Sequence, residues 1–127
     1  MYRFKRPREV RQGQIYYIYF PVSIGSVQAG IRPAIITSSD HDNKTSPTVI
    51  VAIITSKIKR LDLKTHVLLP KMKGLPRQSM VEAEQRFTVD KEQLRDYRGK
   101  LSWIYWRKVH RAIRRSESTS KEEYEAI

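Results

Sequence analysis

Apolar and polar positions along this chain alternate in short blocks, not in long helical stripes. Residues 14–20 (QIYYIYF) are aromatic and β-branched, and their length predicts a first strand. Pro21 and the Gly25 to Gly30 segment interrupt the pattern, and residues 32–37 (RPAIIT) predict a second strand. Residues 38–47 are polar and turn-rich, which predicts a loop. Residues 48–55 (TVIVAIIT) form a near-continuous apolar run of strand length, expected to be the most buried strand. A basic connector covers 57–64, and residues 65–69 (THVLL) predict a fourth strand that ends at Pro70. After a loop at 71–77 with Gly74 and Pro76, residues 79–85 and 86–89 read as two more extended pieces.

Helical signals come last. Asp90 is a plausible N-cap for a short helix over 91–97, closed by Gly99. Ser102 can cap a longer helix over 103–115, in which Tyr105, Val109, Ala112 and Ile113 share one face. Residues 116–120 read as a linker, and 121–127 as a short acidic helix or a frayed end. Strands first and helices after predict an α+β domain built on a small, strongly curved, largely antiparallel barrel.

Charge adds a partner class. The chain of 127 residues has 25 Lys+Arg against 13 Asp+Glu, a formal net charge of +12. The tail, residues 116–127, holds four Glu and one Lys, so subtracting its −3 leaves +15 on residues 1–115. A body this basic attracts polyanions at long range, and nucleic acid is the leading class. The expected organisation is a basic arm over 1–11, a domain over 12–115 and an acidic tail over 116–127. Cysteine is absent, which rules out disulfides and thiolate chemistry. Apolar runs fall short of the roughly 20 residues of a membrane span. The basic N-terminus lacks the apolar stretch of a secretory signal. The expected location is the cytoplasm, with no membrane association.

Chemistry narrows the class. His41, His66 and His110 show no metal-ligand spacing, and the glycines match no phosphate-binding loop. No cofactor is expected. RNA, however, carries its own nucleophile in the 2′-OH. A protein that cuts it must move two protons and surround the extra phosphate charge with cations and donors. Two polar residues sit at the tips of apolar strands, where the core behind them fixes their position. Arg32 precedes Pro33, and Thr55 ends the most buried strand. Each also has an ordinary reading, as an exposed strand-edge charge and as a hydroxyl bonded to backbone. His66 reads as a partly buried strand histidine with a bonded ring. The tryptophans, Trp103 and Trp106, read as core or interface residues.

These residues belong to a larger ordered set. Gln12-Gly13-Gln14-Ile15-Tyr16 is followed by Gly25-Ser26 and by Gly30-Ile31-Arg32-Pro33. Then come Ser46-Pro47-Thr48-Val49-Ile50-Val51-Ala52 with Ile54-Thr55, Thr65-His66-Val67, and Ser79 with Glu84-Gln85. The set resembles the MazF/PemK-type toxins over residues 11–94, and more loosely beyond. The resemblance implies an SH3-like, PemK/CcdB-like barrel that forms a homodimer and cuts single-stranded RNA at short motifs. It implies 2′,3′-cyclic phosphate and 5′-OH ends, and a cognate antitoxin that blocks the RNA groove. It places the catalytic pair on Arg32, which would move protons, and Thr55, which would bond the same phosphate. It places RNA contacts on Ser26, Gln28, Ser79, Glu84 and Gln85, with a gating loop over 22–31. Where many members carry an acidic residue, this chain has Val27, and Arg86-Phe87 reverses the usual apolar-then-Arg order. The alternative on the same barrel is a non-catalytic module acting on gyrase or RNA.

Overall fold

The computed structural model describes residues 7–25 and 27–126. Six strands form one antiparallel sheet: β1 (Gln14–Phe20), β2 (Gly30–Ile36), β3 (Thr48–Thr55), β4 (His66–Leu69), β5 (Ser79–Asp90) and β6 (Leu94–Lys100). Their order across the sheet is β4-β5-β3-β2-β1-β6. Three helices accompany them: α1 (Asp40–Thr45), α2 (Trp103–Glu117) and α3 (Lys121–Glu125). The α+β class and the curved antiparallel sheet agree with expectation. The hydrogen-bonded ladder stays open between β6 and β4. That seam is bridged instead by the loop between β4 and β5, where Arg98 Nε donates to the Gly74 carbonyl at 3.1 Å.

Period-2 alternation explains why the sheet is buried on both faces. From β1, β2 and β3, Tyr16, Ile18, Phe20, Ala34, Ile36, Val49, Val51 and Ile53 point into the concave side. Their neighbours Ile15, Ile35, Ala52 and Ile54 point to the other face, under α2. Helix α2 is capped by Ser102, whose hydroxyl accepts from Tyr105 N, and it buries Trp106, Val109 and Ala112. Trp106 therefore packs in the core as expected, whereas Trp103 stays 70% exposed.

Three local expectations are corrected. Residues 38–47 contain helix α1, because Ser39 caps it through Asp42 N and the buried Asn43 ties back to Ser38. Residues 91–97 do not form a helix. Asp90 and Gln93 make the capping box, but it encloses only a 3-10 turn at Lys91–Gln93. The chain then becomes β6, since the backbone of β1 needs a partner along that edge and Leu94 fills the concave core. Gly99 does not end a helix. It sits in β6 opposite Ile15 with φ of 109°, beside a register shift.

The two pieces over 79–89 are one strand with a bulge. Ile53 pairs with Glu82 while Ala52 pairs with Arg86, so residues 83–85 lie in the irregularity. Just past the bulge, Arg86 and Phe87 point to opposite faces. Phe87 joins the concave core, 6.0 Å from Phe20. Arg86 turns to the helix face, donating to the Ala83 carbonyl, Ser116 Oγ and Glu117.

Gly74 has no room for a side chain, since a Cβ there would lie 1.5 Å from the Arg98 carbonyl oxygen. Gly74→Ala should therefore open the β6 seam and lower stability by about 1–3 kcal/mol, read as a drop in thermal midpoint.

Candidate active site

The concave face opens at one end into a cleft of about 550 Å³. Three neighbouring strands build its floor. Ala34 pairs with Ile53 and Ile36 with Val51, and the same register carried two residues further sets Arg32 beside Thr55. On the far side of β3, Thr55 pairs with Met80 and Ile53 with Glu82. Arg32, Thr55 and Glu82 all line the cleft. Their neighbours along each strand are fixed by core packing, so the three polar groups are presented by stiff elements.

Arg32 is incompletely satisfied. One guanidinium nitrogen donates to Gln28 Oε1 at 3.1 Å and approaches the Ala29 carbonyl at 3.5 Å. Its Nε is buried and has no hydrogen-bond partner among the described residues. Leaving such a donor unpaired costs roughly 1–3 kcal/mol. Thr55 Oγ1 accepts from the Lys57 backbone N–H at 3.1 Å. Its own hydroxyl hydrogen therefore points elsewhere, free to be donated. A buried orphan donor and a directed hydroxyl at one cleft suit an anion placed between them.

The other expected contacts divide. Gln28 and Ser79 line the cleft. Gln28 is turned toward Arg32, and Ser79, only 4% exposed, spends its proton on the Arg77 carbonyl. Glu84 and Gln85 lie in the β5 bulge and do not line the cleft. Ser26 lies outside the described residues, as do Arg3, Lys5 and Arg6 of the arm. Within the loop expected to gate the cleft, Ile24 and Val27 exchange two backbone bonds, both 2.9 Å. Val27 is a core residue, so its apolar side chain anchors this loop. Sequence reasoning missed Lys57, Lys59, Arg77 and Glu82, all of which line the cleft. The basic connector pointed to the first two. Glu82 had a fainter signal, a carboxylate inside an apolar strand.

His66 clamps the connector. Its Nδ1 bonds the Lys59 carbonyl and its Nε2 bonds Glu84, each at 3.0 Å. Both partners accept, so the ring donates from both nitrogens, as an imidazolium does. Burial works against that charge, but the bonds to Glu84 and Lys59 outweigh it and hold His66 above its ordinary 6.5. Burial also opposes ionised Glu84, yet hydrogen bonds from backbone, His66 and Thr65 hold it below its ordinary 4.5. Glu82 lies close by, and the donor atoms of His66, Glu82 and Glu84 fall within 4.8 Å of one another. No histidine spacing in the sequence signals this cluster. A metal there would have to displace the proton that His66 gives to Glu84.

A curved antiparallel sheet that carries a cationic cleft with convergent donors at its strand tips defines a class of polyanion-handling sheet folds. The comparisons with known proteins then say which. The family described as PemK-like, MazF-like toxin of type II toxin–antitoxin systems matches residues 11–116, and this chain belongs to it. It is 40% identical over 88 residues to "Endoribonuclease EndoA" of Bacillus subtilis, 68% of this chain and 76% of that protein. It is 40% identical over 105 residues to "Endoribonuclease MazF" of Staphylococcus saprophyticus, 82% of this chain and 88% of that protein. In fold it resembles the crystal structure of MazF from Deinococcus radiodurans, with a TM-score of 0.72 at 20% identity, covering 86% of this chain and 96% of that one. It equally resembles an endoribonuclease in complex with its cognate antitoxin from Mycobacterial species, with a TM-score of 0.70 at 22% identity, covering 84% and 93%. No helix of the described residues is long and apolar enough to cross a membrane.

The His66–Glu84 pair carries a pH signature. The raised His66 stabilises the fold fully below 6.5 and loses this contribution as pH rises through its folded value. The lowered Glu84 contributes fully above 4.5 and loses it as pH falls through its folded value. The stability gap between the parent protein and His66→Gln should therefore peak between these limits and shrink on either side, as read by urea unfolding across pH.

Proposed function

We propose that this chain is a toxin endoribonuclease that cuts single-stranded RNA at short motifs without a metal ion. The carrying observation is the unpartnered, buried Arg32 Nε–H beside the Thr55 hydroxyl at one cleft. A scissile phosphate between them gives the guanidinium a bidentate partner. The phosphate also accepts a hydrogen bond from the Thr55 hydroxyl. The 2′-oxygen attacks phosphorus, the bond to the 5′-oxygen breaks, and the products are a 2′,3′-cyclic phosphate and a 5′-OH. The 2′-OH proton leaves and another reaches the departing 5′-oxygen, a traffic in which Arg32 takes part. Arg32 and Thr55 chiefly stabilise the extra negative charge on the pentacoordinate phosphorus. The nucleophile belongs to the substrate, so no metal-bound hydroxide is required.

Gln28 and Ser79 contact the RNA within the cleft. Glu84 and Gln85 contact it beyond those walls, and Ser26 is a further RNA contact. Lys57, Lys59 and Arg77 bind flanking phosphates, and the net charge of +12 draws the strand in. The relatives' names as endoribonucleases favour cutting over non-catalytic binding to gyrase or RNA. The working unit is a cytoplasmic homodimer of the 12–115 domain, with the basic arm and acidic tail appended. A cognate antitoxin covers the groove, in keeping with the mycobacterial toxin–antitoxin complex.

Arg32→Ala and Thr55→Ala should each keep the fold and reduce cleavage of a long RNA in EDTA by about 10²–10³-fold or more. Unchanged cutting by either folded variant would remove that residue from the site. Cutting that requires added divalent metal would overturn the metal-free mechanism.

A further inference from the structure

Glu82 is the one carboxylate among the described residues that line the cleft, which it shares with Arg32, Lys57, Lys59 and Arg77. A carboxylate repels the phosphates that such a cleft attracts. It makes no ion pair with a wall cation among the described residues, and its charge favours the protonated form of nearby His66. His66 is near, but it gives its two N–H groups to the Lys59 carbonyl and Glu84. Glu82 therefore keeps free acceptor oxygens in a groove whose other charged side chains are cations.

Its position is set by the sheet. Val81 packs in the core under α2, so Glu82 turns to the concave face. Thr55 pairs with Met80, which makes Glu82 its diagonal neighbour, with Cα atoms roughly 7–8 Å apart. Arg32 lies two strands across and two residues along, roughly 11–12 Å away at the usual strand spacing and rise. A phosphate held by Arg32 and Thr55 thus leaves Glu82 to one side, at the place of an adjoining base.

We propose that Glu82 reads the nucleobase beside the scissile phosphate. It selects a base with N–H donors on its Watson–Crick edge, guanine above all, and rejects uracil. An ionised carboxylate only accepts hydrogen bonds. Guanine presents N1–H and N2–H₂ side by side, matching the two oxygens. Cytosine and adenine each offer one amino group. Uracil offers a single N3–H between two carbonyl oxygens, which face the carboxylate's lone pairs. Base reading of this kind works on single strands, whose edges are open.

The proposal rests on RNA cleavage by this chain, and the test separates the two. The full chain, E82Q and E82L are incubated with a randomised single-stranded RNA in EDTA, and the cut ends are sequenced. Thermal melting verifies each fold. In the parent protein one position flanking the cut should be enriched in guanine and depleted of uracil by about tenfold or more. E82L should flatten that position alone, and cut the best parent motif about tenfold more slowly. E82Q, whose amide can also donate, should admit uracil there. Identical profiles from all three proteins would overturn the proposal. So would loss of cutting at every motif by folded variants that still bind RNA, which would place Glu82 in the chemistry. A parent protein that leaves RNA intact would instead remove the ribonuclease reading itself.

Discussion

The structure depends on burial of β3 on both of its faces. Val49, Val51 and Ile53 fill the concave core, while Ala52 and Ile54 pack under α2. A slip of one residue in its pairing would send every side chain to the wrong layer. With two apolar layers to satisfy, β3 has one register against β2 and one against β5. That single constraint brings Arg32, Thr55 and Glu82 to one cleft, although they are widely separated in the sequence. No polar contact between these three is needed to hold them there.

Strand β5 lets the same sheet serve two purposes. Before the bulge its residues pair with β4 and bring Ser79 and Glu82 to the cleft, and after it Phe87 packs against Phe20. Arg86 anchors the bend to the end of α2, through Ser116 and Glu117. On the other side of the bend, His66 binds Glu84 and the connector carbonyl at Lys59. The connector must stay near the cleft for Lys57 and Lys59 to line it. A histidine bonded at both nitrogens does this without contributing a side chain to the cleft wall.

The cleft itself is less settled than the core behind it. An unpaired buried guanidinium nitrogen and a cluster of like charges both oppose folding. The apolar layers offset this cost, because each fully buried Ile, Val or Phe contributes roughly 1.5–3 kcal/mol. A polyanion seated in the cleft would relieve both penalties, which is why such features gather at binding sites.

Much was legible in the sequence. The runs at 14–20 and 48–55 announced their strands because alternation and β-branched composition act locally. The ordered residues shared with the MazF/PemK-type toxins singled out Arg32 and Thr55. What local signals missed depended on pairing at a distance. Residues 94–100 have a good helix cap before them, yet they become β6 because the edge of β1 must be covered. Residues 40–45 look like a turn, yet Asn43 has a buried place that draws them into a helix. The standing of Glu82 inside the cleft and Glu84 beyond its walls could not be read from a run in which both are simply acidic. By itself the sequence determined the central strands, the overall charge and the reactive residue types, since these follow from side chains and near neighbours. Only the tertiary structure decided which of those residues face one another, because register and bulges arise from burying two layers at once.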